Sequence, residues 1–452
     1  MRGLLILLLA ASAWAAPLRV GRAAVKITPP TGIPMAGYYN VRLAEGTLDD
    51  LYAKAIVLEQ DSTRVALVVC DLVALEAEEV AAARAAVTKL TGIPGDHVML
   101  SATHTHTGPL VRKRLLATIA DEARQIGERY LDELPGRIAE SVRLAVGSMR
   151  PARVRAGLGR EESVSFNRRY YMKDGTVGWN PGKLNPNIVE PTGPIDPDLG
   201  LVSFESETGE PIATYINFAL HLDTTGGLRF SADYPATLAR LLGQARGSTM
   251  LTLFTIGCAG NINHIDVKTR APQKGPAEAA RIGTVLAGEA IKTYTRLEPI
   301  DPTALRVKRE TVKLELARHE PGDVEWARGV IAQFGKPTPP PFLDQVKAFR
   351  VLDVEARQGR PLDAEVLVIT LGNLLVWVGL PGEVFTELGM AIKKASPFPY
   401  TIVVELQAGS VGYVPNRKAY PEGAYEVVSA RCARGSGEKL VDTAIRLLGA
   451  MR

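Results

Sequence analysis

The sequence predicts an α/β fold: mixed β-sheets covered by helices, in a single large domain. Three observations predict it. Short runs rich in Val, Ile and Leu, of strand length, recur along the chain. Segments with apolar residues at three- and four-residue spacing lie between them and mark helices. The opening order is strand, strand, helix, strand, which suits a sheet with helices laid on it. A chain of 452 residues that is 46% hydrophobic and 23% charged can bury a large core, as one big domain or two ordinary ones.

In order along the chain, Leu18 to Pro29 opens with a short strand, and Pro29-Pro30-Thr31-Gly32 turns it into a loop through Met35-Ala36-Gly37-Tyr38. Residues 52–59 and 64–71 are β-rich and separated by Gln60 to Thr63, which predicts a hairpin. Helical periodicity runs from Glu76 to Lys89 and is stopped by Thr91-Gly92-Ile93-Pro94. A buried strand follows from Val98. Residues 113–147 predict one or two helices, and Arg153 to Gly157 another strand. Asn167 to Asp198 is rich in Asn, Pro and Gly and predicts a long loop, of the kind that is functional or mobile in a compact domain. Strands are expected at 199–205 and 212–220, a helix capped by Asp233 through Leu242, a strand at 250–256 and an amphipathic helix at 276–296. Thr338 to Pro341 sits in an expected linker or exposed crossing near 335–341, with more of the same sheet beyond it. Glu365 to Leu380 predicts a hairpin about Gly372-Asn373, then a helix to Lys394, a strand at 401–407, a loop carrying Tyr413 and a closing helix from Glu438 to Met451. There is no internal repeat.

The ends, charge and cysteines narrow the class. Met1-Arg2, the apolar run Leu4 to Ala11 and Ala13-Trp14-Ala15 follow the order of a secretory signal peptide. The expectation is a leader over residues 1–16, a mature chain over 17–452 and a secreted or periplasmic protein; the alternative is an uncleaved anchor. The apolar run is too short for an ordinary membrane-spanning helix. The formal charge is +4, and no basic run is interleaved with aromatics, which argues against nucleic acid as a partner. Cys70, Cys258 and Cys432 cannot all pair within one chain and match no zinc-ribbon spacing, so a disulfide-stapled scaffold is excluded.

The chemistry centres on residues 98–109, Val-Met-Leu-Ser-Ala-Thr-His-Thr-His-Thr-Gly-Pro. If the strand continues through them, His104 and His106 point to one face, because residues i and i+2 do so in a strand. Two such imidazoles can share a metal, or one can hold a metal while the other handles substrate. The plainer reading is a pair of polar residues hydrogen-bonded at a strand exit. His221 and Glu383 share the same setting, each following a buried apolar run. Two histidines and a carboxylate are the ligand set of many catalytic zinc sites. Taken singly, His221 also fits a satisfied core histidine, and Glu383 an acid at the start of a helix.

The chain resembles the catalytic N-terminal domain of the neutral/alkaline (non-lysosomal) ceramidase family, zinc-dependent amidases that cleave the N-acyl bond of ceramide. The resemblance extends from about Val20 to the C-terminus. It rests on Gly21-Arg-Ala-Ala-Val-Lys-Ile-Thr-Pro, Ser101-Ala-Thr-His-Thr-His-Thr-Gly-Pro, Asn167-Arg168, Phe218-Ala-Leu-His, Gly260-Asn-Ile-Asn, Pro381-Gly-Glu and Gly412-Tyr-Val. It implies a single large catalytic domain with Zn2+ on His104, His221, Glu383 and Tyr413. It further implies that His106, Arg168 and Tyr425 contact the scissile amide, with donors aimed at a developing oxyanion. Two departures accompany it. Asn263 stands where the family carries a serine, and an amide cannot act as an alkoxide nucleophile. The C-terminal immunoglobulin-like domain of larger members is also expected to be missing. The resulting expectation is a zinc hydrolase acting on ceramide or a related lipid amide through metal-activated water, with Asn263 assisting and with transient contact at a membrane surface. An amidase or esterase on another acyl substrate, and a non-catalytic zinc-containing binding protein, are the alternatives.

Overall fold

Strand alternation sorts the apolar residues onto two faces, and this builds a stack of four layers. In the strand Tyr52–Gln60, Ala55 and Val57 join a core shared with helices, whereas Ile56 and Leu58 join a core shared with a second sheet. The same split occurs in the second sheet. Leu367, Ile369 and Trp377 turn inward to the first sheet, and Val366, Val368 and Val378 turn outward to helices. The order is therefore helices, large sheet, small sheet, helices. The computed structural model describes residues 17–117, 119–334, 336 and 338–452, so the expected leader over 1–16 lies outside the described residues.

The large sheet has nine strands. From one edge to the other they run Leu251–Ile256, Pro211–Phe218, Asp198–Ser206, Arg150–Arg160, Arg19–Lys26, Tyr52–Gln60, Thr63–Cys70 and Val98–Ala102, with Glu298–Ile300 added beside Arg150–Arg160. Pairing is antiparallel through the middle and parallel at both edges, where 63–70 lies along 98–102 and 211–218 along 251–256. The small sheet runs Leu305–Leu314, Leu362–Leu371, Leu375–Gly379, Tyr400–Val404, the last pair parallel. Parallel neighbours need crossovers, and the crossover helices Ala77–Thr91, Tyr234–Arg246 and Thr386–Ala395 supply the outer layers. Asp121–Gly147 and Pro276–Tyr294 complete the layer on the large sheet, and Ser436–Gly449 that on the small one. Arg84 ties the layers together: it reaches from the first helix to Glu365 of the small sheet at 2.7 Å and to the Val98 carbonyl at 2.8 Å.

Most expected elements form within a few residues of their predicted ends. Gly92 closes the first helix in the left-handed region, at φ 73°, and Asp233 caps Tyr234–Arg246 by accepting its first amide. Two stretches differ. Asn167 to Asp198 is not a bare loop. Arg169–Met172, Val177–Trp179 and Ile188–Pro191 make a three-stranded sheet, and Phe166–Asn167 pairs with Ile262–Asn263. The aromatic and β-branched residues favour strand there despite the surrounding Gly and Pro. The Pro-rich crossing is the connection between two helices, Asp323–Ile331 and Phe342–Glu355, with Gly335 and Pro337 outside the described residues. Those helices pack on each other through Ala327, Val330, Ala348 and Val351. No helix among the described residues is long and apolar enough to cross a membrane. All three cysteines are buried and unpaired.

Candidate metal centre

Loops just past the carboxyl ends of the strands carry the chemical side chains, the usual place for sites in α/β sheets. His104 follows Val98–Ala102, His221 follows Pro211–Phe218, and Glu383 follows Leu375–Gly379. The strand expected to carry both His104 and His106 stops at Ala102, so strand alternation is not what brings them together. Instead the chain turns at His104, whose φ of 76° lies in the left-handed region. For a residue with a Cβ that conformation costs about 1–2 kcal/mol, and such strain persists where surrounding bonds over-determine it. Here the His104 amide donates to the Leu72 carbonyl at 2.8 Å and its Nδ1 to the Val73 carbonyl at 2.7 Å.

His221 is held in the same way, its Nδ1 donating to the Ala259 carbonyl at 2.9 Å. A carbonyl only accepts, so both rings carry their proton on Nδ1 and turn the Nε2 lone pair inward. Those two Nε2 atoms lie 3.0 Å apart. The Nε2 of His106 lies 3.3 Å from that of His104. Glu383 Oε2 is 3.3 Å from His104 Nε2 and 3.4 Å from His221 Nε2, and it is buried without a hydrogen-bond partner. Lone pairs and a carboxylate oxygen thus converge on one point.

Tyr413 arrives by backbone pairing. Glu383–Val384 and Tyr413–Val414 form a short parallel pair with Glu383 opposite Tyr413. Gly382 permits the approach: at φ 77° it passes so close that a Cβ would lie 2.4 Å from the Gly412 carbonyl oxygen. Glu405 braces both sides of the cage. Its Oε2 accepts from Ala259 N at 3.1 Å and Val384 N at 2.8 Å, next to the groups that hold His221 and Glu383.

The carboxylate and the imidazoles shift one another's protonation. Burial alone would raise the Glu383 carboxyl, yet His104 and His221 hold it well below the usual range. Burial pulls His104 down, but Glu383 overrides it and leaves this imidazole above its ordinary value. Burial, Arg168 and His104 push His221 down to about 4. Burial and His104 likewise hold His106 far below its ordinary value. Three histidines, the buried His104 and His221 and the half-buried His106, lie close enough to hold a metal ion, and the unpartnered Glu383 oxygen faces two of them. The donor set of imidazole and carboxylate fits zinc, and the carbonyl bonds to Nδ1 are the supports that metal-binding histidines ordinarily have.

The other expected site residues divide. Tyr425 joins the group: its ring lies 5.4 Å from that of Tyr413, and Trp179 packs on it at 4.5 Å. Burial holds its hydroxyl, like that of Tyr413, well above the ordinary value. Arg168 is buried rather than on the surface. Its Nη2 donates to the Tyr413 hydroxyl at 3.0 Å and the Gly260 carbonyl at 2.7 Å, and its Nε to Glu426 at 2.8 Å. Asn263 faces elsewhere. Its Nδ2 donates to Asn180 at 2.9 Å and its Oδ1 accepts from Ile265 N at 3.1 Å.

A cavity of about 230 Å³ opens above the cage, with His104, His106, Glu383, Tyr413 and Tyr425 in its wall. The loop carrying Tyr38 leans on His106, made possible by Gly37, where a Cβ would lie 2.7 Å from His106 Cα. Sequence reasoning missed two sets of residues here. Asp223 pairs with His264 at 3.0 Å, and the cavity wall carries Arg112, Arg350, Asp353 and Arg431. Asp223 lies two residues past His221, a local signal available in the sequence. The arginines carry none, since they look like any solvated face.

No protein-family model matches the chain, and no curated protein matches it. Solved structures do. The crystal structure of neutral ceramidase from Pseudomonas aeruginosa superposes with a TM-score of 0.73 at 20% identity, covering 96% of this chain and 75% of that one. A ceramidase complexed with C2 gives 0.72 at 19%, with the same coverage of each chain. The chain has a ceramidase-like fold.

Proposed function

We propose that this protein is a zinc-dependent hydrolase that cleaves an N-acyl amide, with ceramide or a related lipid amide as substrate. The observation that carries the reading is the convergence of His104 Nε2, His221 Nε2 and the unpartnered Glu383 Oε2 on one buried point at the base of a cavity. The ceramidase-like fold supports the same substrate class. In this reading His104, His221, Glu383 and Tyr413 hold the metal. A zinc ion there supplies Lewis acidity, polarising an amide carbonyl and making water nucleophilic near neutral pH.

The chain's own residues do the rest. His106 lines the cavity as a neutral imidazole, because burial keeps it unprotonated, and it is placed to take the proton of the attacking water. The Tyr425 hydroxyl stays protonated and donates to the oxygen on which negative charge develops. Arg168, fixed by Glu426, holds the Tyr413 hydroxyl in place. Asn263 acts through position: it anchors Asn180, next to Trp179, whose ring packs on Tyr425. The same asparagine favours the second reading, a zinc-containing binding protein without turnover, since it offers no nucleophile. The leader over residues 1–16 belongs to this proposal as the signal for export.

The test is metal analysis of the purified full chain, followed by a panel of N-acyl amides that includes ceramides. One zinc per chain, with hydrolysis lost on chelation and restored by zinc, is the expected result. Tightly held zinc with no turnover on any amide or ester leaves the binding protein, and absence of zinc removes both.

A further inference from the structure

The cavity above the cage is amphipathic, and its polar part is rich in cations. Leu110, Ile119, Val346 and Phe349 provide apolar wall suited to an acyl chain. Among the described residues, Arg42, Arg112, Arg350 and Arg431 share that wall with only two carboxylates outside the cage, Glu76 and Asp353. Asp353 is divided three ways: Arg114 reaches it at 2.8 Å, Arg112 at 3.4 Å and Arg431 at 3.9 Å. Arg112 takes Glu76 at 2.9 Å. Arg350 donates to the Arg318 carbonyl, and its buried Nε has no partner. Three guanidinium groups, those of Arg112, Arg114 and Arg431, therefore divide two carboxylates, and Arg431 has the weakest share.

Arg431 is also the one beside the metal loop. A Cβ on Gly412 would lie 3.0 Å from its Nε, and Gly412 precedes Tyr413 and accepts the Glu383 amide at 2.9 Å. Burial and the nearby Arg112 pull Arg431 below its ordinary value, as expected of a cation short of counter-charge. An arginine fork lining a cavity matches the oxygens of a carboxylate or phosphate.

We propose that Arg431 and Arg112 form an anion clamp, so that the preferred substrate is an acidic N-acyl amide whose amine part carries a carboxylate or phosphate. The apolar wall takes the acyl chain, the cage takes the amide, and the clamp takes the charged end. This rests on the hydrolase reading of the site. An uncharged headgroup would leave the guanidinium excess unanswered.

The experiment pairs charged and neutral ligands on the zinc-loaded full chain. N-dodecylsulfonylglycine, whose sulfonamide is not cleaved, is compared by calorimetry with N-dodecylsulfonylglycinamide. The acid is expected to bind about tenfold tighter or more, as charge-assisted fork pairing implies. N-dodecylsulfonylaminoethyl phosphate, run beside them, tells which anion the arginines prefer. Arg431→Gln and Arg112→Gln, each checked for zinc content and melting temperature, should erase the acid's advantage while leaving amide binding in place. Equal binding of acid and amide by the unmodified protein overturns the clamp and leaves the arginines as ties to the helix bearing Asp353. A kinetic arm with N-lauroylglycine and N-lauroylglycinamide separates the two ideas. Acid-selective binding without cleavage of either would keep the clamp and sink the hydrolase; cleavage of both at equal kcat/KM would do the reverse.

Discussion

The floor and the roof of the cavity are built by different means. The floor is a set of strand-end loops whose side chains are pinned atom by atom: His104 to Val73, His221 to Ala259, and Ala259 and Val384 to Glu405. The roof includes the helix pair Asp323–Ile331 and Phe342–Glu355, which has a small apolar cluster of its own and contributes Phe349, Arg350 and Asp353 to the cavity. A floor fixed this way can hold a metal geometry. A roof with an apolar cluster of its own can set what enters without disturbing the metal. The comparison makes floor and roof separable by measurement.

The sharpest break is in the floor. His104→Ala or His221→Ala should abolish stoichiometric zinc binding and lower hydrolysis on the order of a thousandfold, the several kcal/mol that a metal supplies. Metal analysis and kcat/KM check this together. Glu426→Gln tests the support behind the floor: it weakens the carboxylate that holds two buried guanidinium groups at 2.8 and 2.9 Å. Thermal or denaturant unfolding should show a loss of about 3–5 kcal/mol, the range for breaking a buried ion pair. Tyr425→Phe keeps the ring stack on Trp179 and removes one donor, so kcat should fall about a hundredfold with zinc retained. In the roof, Phe349→Ala should raise KM for long-chain substrates by about tenfold, with zinc content unchanged. A roof variant that lost zinc would collapse the distinction.

The smallest effect lies outside both regions. Burial would raise the Glu365 carboxyl, but Arg84 and Gln407 hold it below its ordinary value. A depressed carboxylate contributes stability that is complete above the ordinary carboxylate range and is lost as pH falls through its folded value. Glu365→Gln should therefore cost about 1–3 kcal/mol at neutral pH and progressively less in acid, followed by urea unfolding across pH.

The same contrast explains what could be read from the sequence. Strands and crossover helices were legible because alternation and 3.6-residue spacing record burial directly, as at Ala55/Ile56 and along Tyr234–Arg246. His104, His221 and Glu383 stood out because their residue types are costly in apolar surroundings without a purpose. Tyr413 came only through resemblance, since its placement depends on a two-residue pairing with Glu383 that no local pattern announces. The turn at His104 was not legible either, because tertiary bonds to Leu72 and Val73 impose it. The roof was the least visible part. Thr338 and the prolines at 339–341 read as a linker or exposed crossing, with nothing to announce the two helices they join, and Arg431 or Asp353 gains meaning only from what faces it across the cavity.

The central claim is that one zinc ion sits where His104, His221, Glu383 and Tyr413 meet. Zinc-edge X-ray absorption on the loaded protein tests it most directly, read beside the His221→Ala variant. The account predicts a nitrogen and oxygen shell at about 2.0–2.2 Å with imidazole scattering, lost or reduced in the variant. A spectrum unchanged by that substitution, or a chain that takes up no zinc, would contradict it.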